Sequence, residues 1–272
     1  MIWRRFRRSK LAVGALIYVA IVALIAALAP MISMDPNAID LASRLSPPDR
    51  AHPLGTDDLG RDIYARMVNG ARVSLTVGFA ATAIALLIGS LFGALAGYYG
   101  GAADWIVSRG IEVVLCFPFL LLVLSIVALF GPSFLTVMIA LGLTSWTSEA
   151  RFMRGEFLRI RDMEFAQAAR AMGARDARII FRHLLPNALA PVLVSASFGV
   201  ASAILTESAL SFLDMGVPPP NPSWGNILTV AQRHIDYAWG LVVFPGVAIF
   251  LTVAAFNIIG DRVRDALDPR SE

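Results

Sequence analysis

The sequence predicts an all-α membrane protein with six transmembrane helices and both termini in the cytoplasm. Three observations carry that expectation. Of 272 residues, 57% are hydrophobic and only 16% charged, against roughly a quarter charged in an ordinary soluble domain. The charges are bunched, so that residues 11–34, 73–103, 113–148, 184–206 and 237–260 contain no Asp, Glu, Lys or Arg. Each block can cross a bilayer, for which about 20 apolar residues suffice. With the amino terminus inside, 17 of the 23 Lys and Arg fall on inner segments and 6 on outer ones, as the positive-inside rule requires.

The elements follow in order. Residues 1–10, MIWRRFRRSK, hold five basic residues and no acid ahead of a 24-residue uncharged run. A removable leader has a shorter apolar core and a small-residue cleavage site, so this reads as a basic cytoplasmic N-terminus and a retained first span, TM1, at 11–34. Residues 35–72 read as an external strap, extended around Pro36, Pro47, Pro48 and Pro53. From Asp57 it leads into a short surface helix with Leu59, Ile63 and Met67 four residues apart.

Residues 73–272 read as one core membrane domain. TM2, at 74–98, carries Gly89, Gly93 and Gly97, a spacing that lets a second helix approach closely. The 36-residue block 113–148 is too long for one crossing and is interrupted at Gly131-Pro132-Ser133, so it divides into TM3 at 111–130 and TM4 at 133–148. TM5 is expected at 187–213, an external loop at 214–238, TM6 at 239–260 and a cytoplasmic tail at 261–272.

The inner segment 149–186 is the most informative. Its pattern places Phe165, Ala168, Ala169 and Met172 on one face of a helix and Glu164, Gln167 and Ala171 on another. Gly173 suits the left-handed residue that ends such a helix. A second short helix follows, closed near Pro186, with Arg175, Arg178 and Arg182 sharing a face. The residues alone leave this knuckle as either a helix on the membrane surface or a docking element.

Other chemistry is poorly represented. Cys116 is the single cysteine, so no intrachain disulfide is expected. His52, His183 and His234 fall in loops or at membrane edges. Asp57, Asp58 and Asp62 lack the spacing of a calcium loop and are read as helix caps and partners of Arg61 and Arg66. No metal site and no catalytic residue are expected. There is no GxxxxGK[ST], hence no P-loop for ATP, and no GxSG or mid-span His to build an intramembrane protease. The pI near 9.4 is accounted for by the basic inner face, and no nucleic-acid partner is expected. Glu207, with Ser211 one turn on, sits near the outer end of TM5 as a substrate-path candidate or a helix-packing partner.

The stretch QAARAMGARDARIIFRHLLPN, Gln167 to Asn187, resembles the EAA loop of ABC-transporter permeases. Ala168, Ala169, Gly173, Leu185 and Pro186 fit that pattern. Gln167 takes its acidic position and His183 stands where Ile is frequent, while Glu164 offers a carboxylate one turn earlier. Three further segments, HPLGTDDLGRDIYARMVNGARVSL, ESALSFLDMGVPPPNPSWGNIL and FPGVAIFLTVAAFNIIGDRVRDALDPR, are similar to the second permease of the dipeptide, oligopeptide and nickel importer family. Together the four cover most of the chain in the right order.

The resemblance implies a type I ABC importer permease fold with a coupling helix between spans 4 and 5. It implies that Glu164, Gln167, Ala168, Ala169, Arg170, Ala171, Gly173 and Ala174 face an ATPase. The partners implied are a homologous permease forming a heterodimer, two cytoplasmic ATPase subunits that bind ATP and Mg, an external solute-binding protein and the bacterial inner membrane, with no cofactor in this chain. Dipeptides or oligopeptides are the expected cargo, and nickel, nickel chelates and glutathione are alternatives within the family. An ion-coupled carrier is the alternative of another class, and it would bury several ionisable residues.

Overall fold

The computed structural model describes residue 6 and residues 9–32, 34–234 and 238–267. Most of the expected basic N-terminus at 1–10 and the end of the tail at 268–272 lie outside the described residues. Among the described residues the regular elements are helical, apart from one isolated bridge between Thr56 and Asp62.

Helix α1, Lys10–Ile32, is uncharged after Lys10 and packs on two others. The Tyr18 hydroxyl ties it to the last helix, 3.2 Å from Thr252 Oγ1. The strap that follows is irregular, and the expected surface helix from Asp57 does not form as a separate element. Asp57 instead accepts from the Leu59 and Arg61 backbones in a turn. Asp62 then caps α2, Ile63–Tyr99, accepting from the Ala65 N–H at 2.7 Å. A capped start with no breaker behind it lets α2 run 37 residues, roughly 55 Å at 1.5 Å per residue.

Helix α3, Gly101–Leu115, and α4, Phe119–Phe130, meet at 83°. The TM3 expected at 111–130 therefore begins inside α3 and spans this bend. Pro118 has no N–H for the helical ladder and pushes Phe117 out of the helical region, so the chain turns within an uncharged block. Helix α5, Phe134–Ile160, starts after Gly131 turns left-handed at φ +84° and is capped by Ser133. It extends well past the expected end of TM4 at 148.

The segment expected on the inner side forms α6, Glu164–Ala171, and α7, Asp176–Ile179. A wide π turn at Ile180–Leu184 joins α7 to α8, Leu185–Phe212. Within the expected external loop lies α9, Trp224–Gln232, capped reciprocally by Ser223 and Asn226. Helix α10, Gly240–Leu267, continues beyond the expected end of TM6 into the tail.

Helices α2 and α5 form the most extensive pair. Their seam is the glycine stripe: a Cβ on Gly89 would stand 2.5 Å from Glu149 Cβ, and one on Gly97 2.6 Å from Phe157 Cβ. Backbones this close gain dispersion contacts along the seam, so the stripe serves packing. Four helical stretches are long and apolar enough to cross a membrane, namely α1, α2, α7 through α8, and α10, and the bent α3–α4 pair makes a fifth. The uncharged part of α5, residues 134–148, is about 22 Å long, short of the roughly 30 Å hydrocarbon core.

Candidate functional site

The knuckle is built by a specific helix ending. At the end of α6, the Gly173 N–H donates to the Arg170 carbonyl at 2.9 Å and the Ala174 N–H to the Ala169 carbonyl at 3.1 Å. This pair is the Schellman arrangement, which needs a left-handed residue between helix and exit. Gly173 supplies it at φ +75°, and nothing lies within 4 Å of where its Cβ would be. The requirement there is backbone conformation, not space.

Ala166 and Ala169 are the buried residues of α6, packed with Tyr98, Phe157, Ile160 and Ile179. The expected apolar face therefore differs: Phe165 is 38% and Met172 80% exposed. Small residues three apart let α6 lie flat on the bundle, whereas Phe165 and Met172 are left on the outer surface. Of the expected ATPase-facing residues, Glu164, Gln167, Ala168, Arg170, Ala171 and Gly173 are exposed, Ala174 is half-buried and Ala169 faces the chain's own core.

Polar contacts hold this surface in place. Gln167 Nε2 turns back and donates to the Asp162 carbonyl at 2.9 Å. The Arg170 guanidinium lies over the Tyr98 ring, 5.6 Å from its centroid, and the Tyr98 hydroxyl donates to Asp176 Oδ1 at 2.7 Å. Arg161 Nη1 donates to the Gly97 carbonyl at 3.0 Å. Arg170 and Asp176 thus tie the knuckle to the C-terminal end of α2 through Tyr98, and Arg161 ties the end of α5 to the same place.

The second helix does not close near Pro186, as the sequence led us to expect. Pro186 lies in the first turn of α8, where its missing N–H costs little. The widened turn before it lets the Leu185 N–H reach the Ile180 carbonyl. Residues 176–212 accordingly form one 37-residue stretch from the knuckle across the bundle.

Glu207 is fully buried and accepts from Ser211 Oγ at 2.7 Å, while its Oε2 has no hydrogen-bond partner. The Ser211 carbonyl accepts from Thr229 Oγ1 of α9 at 2.6 Å, and Trp224 of α9 donates its N–H to Ser74 Oγ at 3.2 Å. Glu207 and Ser211 thus sit in a joint between α2, α8 and α9. Outside it, Arg61 pairs with Asp57 at 2.6 Å, and His52 Nδ1 lies 2.8 Å from Asp62 Oδ2.

A cavity of about 530 Å³ opens between α2, the α3–α4 bend, α5 and α8. Hydroxyls from Thr82, Thr144, Ser145, Ser148, Ser195 and Ser202 line it, with aromatic rings at the bend and one carboxylate, Glu149. Neither Glu207 nor Ser211 lines it. Glu149 closes the 36-residue uncharged block and so was assigned to the inner segment. The available signal was the run TSWTSE, hydroxyls crowding an acid in an otherwise apolar helix.

An apolar helical bundle around a hydroxyl-lined cavity, with a tied helix-bend-helix at one end, is the architecture of a membrane transport component. The chain belongs to the family described as binding-protein-dependent transport system inner membrane component, which residues 89–272 match. Residues 1–48 match the N-terminal TM domain of oligopeptide transport permease C. A dipeptide transport system permease protein of Alkalihalophilus pseudofirmus is 43% identical, with 98% of this chain and 88% of that protein covered. An oligopeptide transport system permease protein of Bacillus subtilis is 39% identical over the same shares. A glutathione transport system permease protein of Pectobacterium atrosepticum is 40% identical, covering 98% of this chain and 90% of its own length. Among solved structures, an inward-facing MetNI methionine ABC transporter shares the fold with a TM-score of 0.61, at 22% identity over 76% of this chain and 98% of that chain.

Proposed function

We propose that this chain is one of two membrane subunits of an ATP-driven bacterial importer of dipeptides or short oligopeptides, working at the inner membrane. The observation that carries the proposal is the full-length likeness to dipeptide and oligopeptide permease proteins at about 40% identity. In this reading the chain crosses the membrane six times, α5 being the short sixth crossing, with both termini inside. An external binding protein delivers the peptide and a homologous permease completes the passage.

Two ATPase subunits supply the energy, binding ATP and Mg, and this chain contributes no ATPase site of its own. They seat on the outer surface of α6, where Glu164, Gln167, Ala168, Arg170 and Ala171 stand beside exposed Phe165 and Met172. The burial of Ala169 removes it from that surface. Because α7 continues into α8, motion of the seated knuckle is passed into the bundle, and two packings of the same helices give alternating access. The polar cavity is the passage, a role better supported for it than for Glu207 and Ser211.

The test is co-purification followed by uptake in proteoliposomes. An ATPase pair retained through residues 149–186, with ATP-dependent accumulation of a dipeptide, is the expected result. Dipeptide uptake driven by a proton gradient with no ATPase attached would overturn the proposal in favour of an ion-coupled carrier. Glutathione is the second reading, favoured by the relative from Pectobacterium atrosepticum, and selective ATP-driven uptake of glutathione over Ala-Ala would establish it.

A further inference from the structure

The cavity wall is largely apolar, and its one ionisable group is acidic. Glu149 is 9% exposed at its wall, and no Lys, Arg or His is among the lining residues. Among the described residues Glu149 is in no salt bridge, and the hydrogen bond it receives comes from Ser195 Oγ, 2.6 Å from Oε2. A carboxylate held away from bulk water without a cation is costly, and within a transport bundle such a residue points to function. Its neighbours do not offset that cost. Thr82 and Thr144 spend their protons on carbonyls of their own helices, Gly78 and Ala140, at 2.8 Å each. What they leave toward the cavity are acceptor lone pairs.

Hydroxyl acceptors beside a lone carboxylate in an otherwise apolar wall suit a ligand carrying N–H donors and a positive charge. An ammonium group has three donors and no acceptor, and its bond to a carboxylate is charge-assisted. A bound metal ion is a poorer match, because no cluster of three or more His, Cys, Asp or Glu exists among the described residues. The volume is within the range of small-ligand pockets. We propose that Glu149 is a cation subsite of the passage, receiving the protonated α-amino group of a peptide in transit, with the Thr144, Ser148 and Ser195 hydroxyls as accompanying acceptors. This rests on the peptide reading above and deepens it.

The test uses the assembled transporter in proteoliposomes, without binding protein, so that only the membrane passage meets the probe. With Cys116→Ser removing the native thiol, Ser202→Cys places a single reporter on the cavity wall, outside the proposed subsite. Labelling by a neutral maleimide is followed with millimolar Ala-Ala or N-acetyl-Ala-Ala present. Ala-Ala is expected to slow labelling at least fivefold and the acetylated peptide, which lacks the ammonium, to leave it unchanged. Adding Glu149→Gln is expected to abolish the protection, and Glu149→Asp to retain it, with unaltered melting behaviour showing that both variants fold. Equal protection by both peptides, protection that survives Glu149→Gln, or no protection by either peptide would overturn the subsite. Failure of the wider peptide reading is recognised separately, as absence of ATP-driven Ala-Ala uptake by the Cys116→Ser parent supplied with binding protein.

Discussion

Ala174 donates its backbone N–H to the Ala169 carbonyl at 3.1 Å, closing the knuckle around Gly173. That bond exists only while Gly173 stays left-handed, a conformation that glycine adopts freely and other residues adopt at a cost of about 1 kcal/mol or more. Gly173→Asn is therefore expected to retain most ATP-driven uptake and Gly173→Ala to lose a substantial part of it. Gly173→Pro, which forbids positive φ and removes the N–H, is expected to abolish uptake while the chain still inserts, as checked by protease accessibility from each side. Normal uptake by the proline variant would sink the proposed role of the bend.

Tyr98 bridges the C-terminal end of α2 to the knuckle, with Arg170 over its ring and Asp176 on its hydroxyl. Tyr98→Phe keeps the ring and loses one hydrogen bond to a charged group, about 1.5–3 kcal/mol. Tyr98→Ala loses both interactions. We expect ATP hydrolysis to persist in the two variants while peptide delivered per ATP falls, more steeply for alanine. Parallel loss of hydrolysis and uptake would indicate general destabilisation instead.

The seam between α2 and α5 tolerates no added volume at Gly97, where a Cβ would meet Phe157 Cβ at 2.6 Å. Gly97→Ala is expected to destabilise by roughly 1–3 kcal/mol, and Gly97→Leu to prevent the helices from seating. Monodisperse protein remaining in detergent after a heating series measures this. By contrast, Gly110, with nothing within 4 Å of its would-be Cβ, is expected to accept alanine without loss.

Glu207 holds the joint beneath α9 through Ser211. Glu207→Ala is expected to cost about 1–3 kcal/mol by leaving the buried Ser211 hydroxyl without its acceptor and a void beside it. The signature is faster proteolysis between residues 213 and 234. Glu207→Gln, which keeps an acceptor for Ser211, is expected to leave both proteolysis and peptide preference near the parent. A change in peptide preference with intact folding would return Glu207 to the passage.

Much of this architecture was legible because uncharged blocks and glycine spacing report directly on lipid and on helix contact. The turn at Gly131 and the bend at Gly173 were legible because each needs a backbone conformation that few residues supply. Direction was not. Hydropathy treats Pro118 as one residue in an apolar block, although it turns the chain by 83°. Helix α9 was hidden because Trp224 is buried against Met67 and Ser74, some 150 residues away. The faces of α6 were misassigned because pattern alone favours large side chains as the buried set, whereas close approach here selected Ala166 and Ala169. Glu149 escaped because the last charge-free residue marks where a block ends but says nothing about which way the next side chain points.

The continuous helical run from Asp176 to Phe212, passing through the π turn at Ile180–Leu184, links the knuckle to the joint with α9. In the proposed orientation, a tilt of about 5° at the inner end would sweep the outer end, roughly 55 Å away, through about 5 Å. That outer end grips α9, since the Phe212 carbonyl accepts from Gln232 Nε2 at 2.8 Å. In the proposed importer, a rocker of this kind would tie inner opening to outer closing, so that both doors of the passage would answer to a single push.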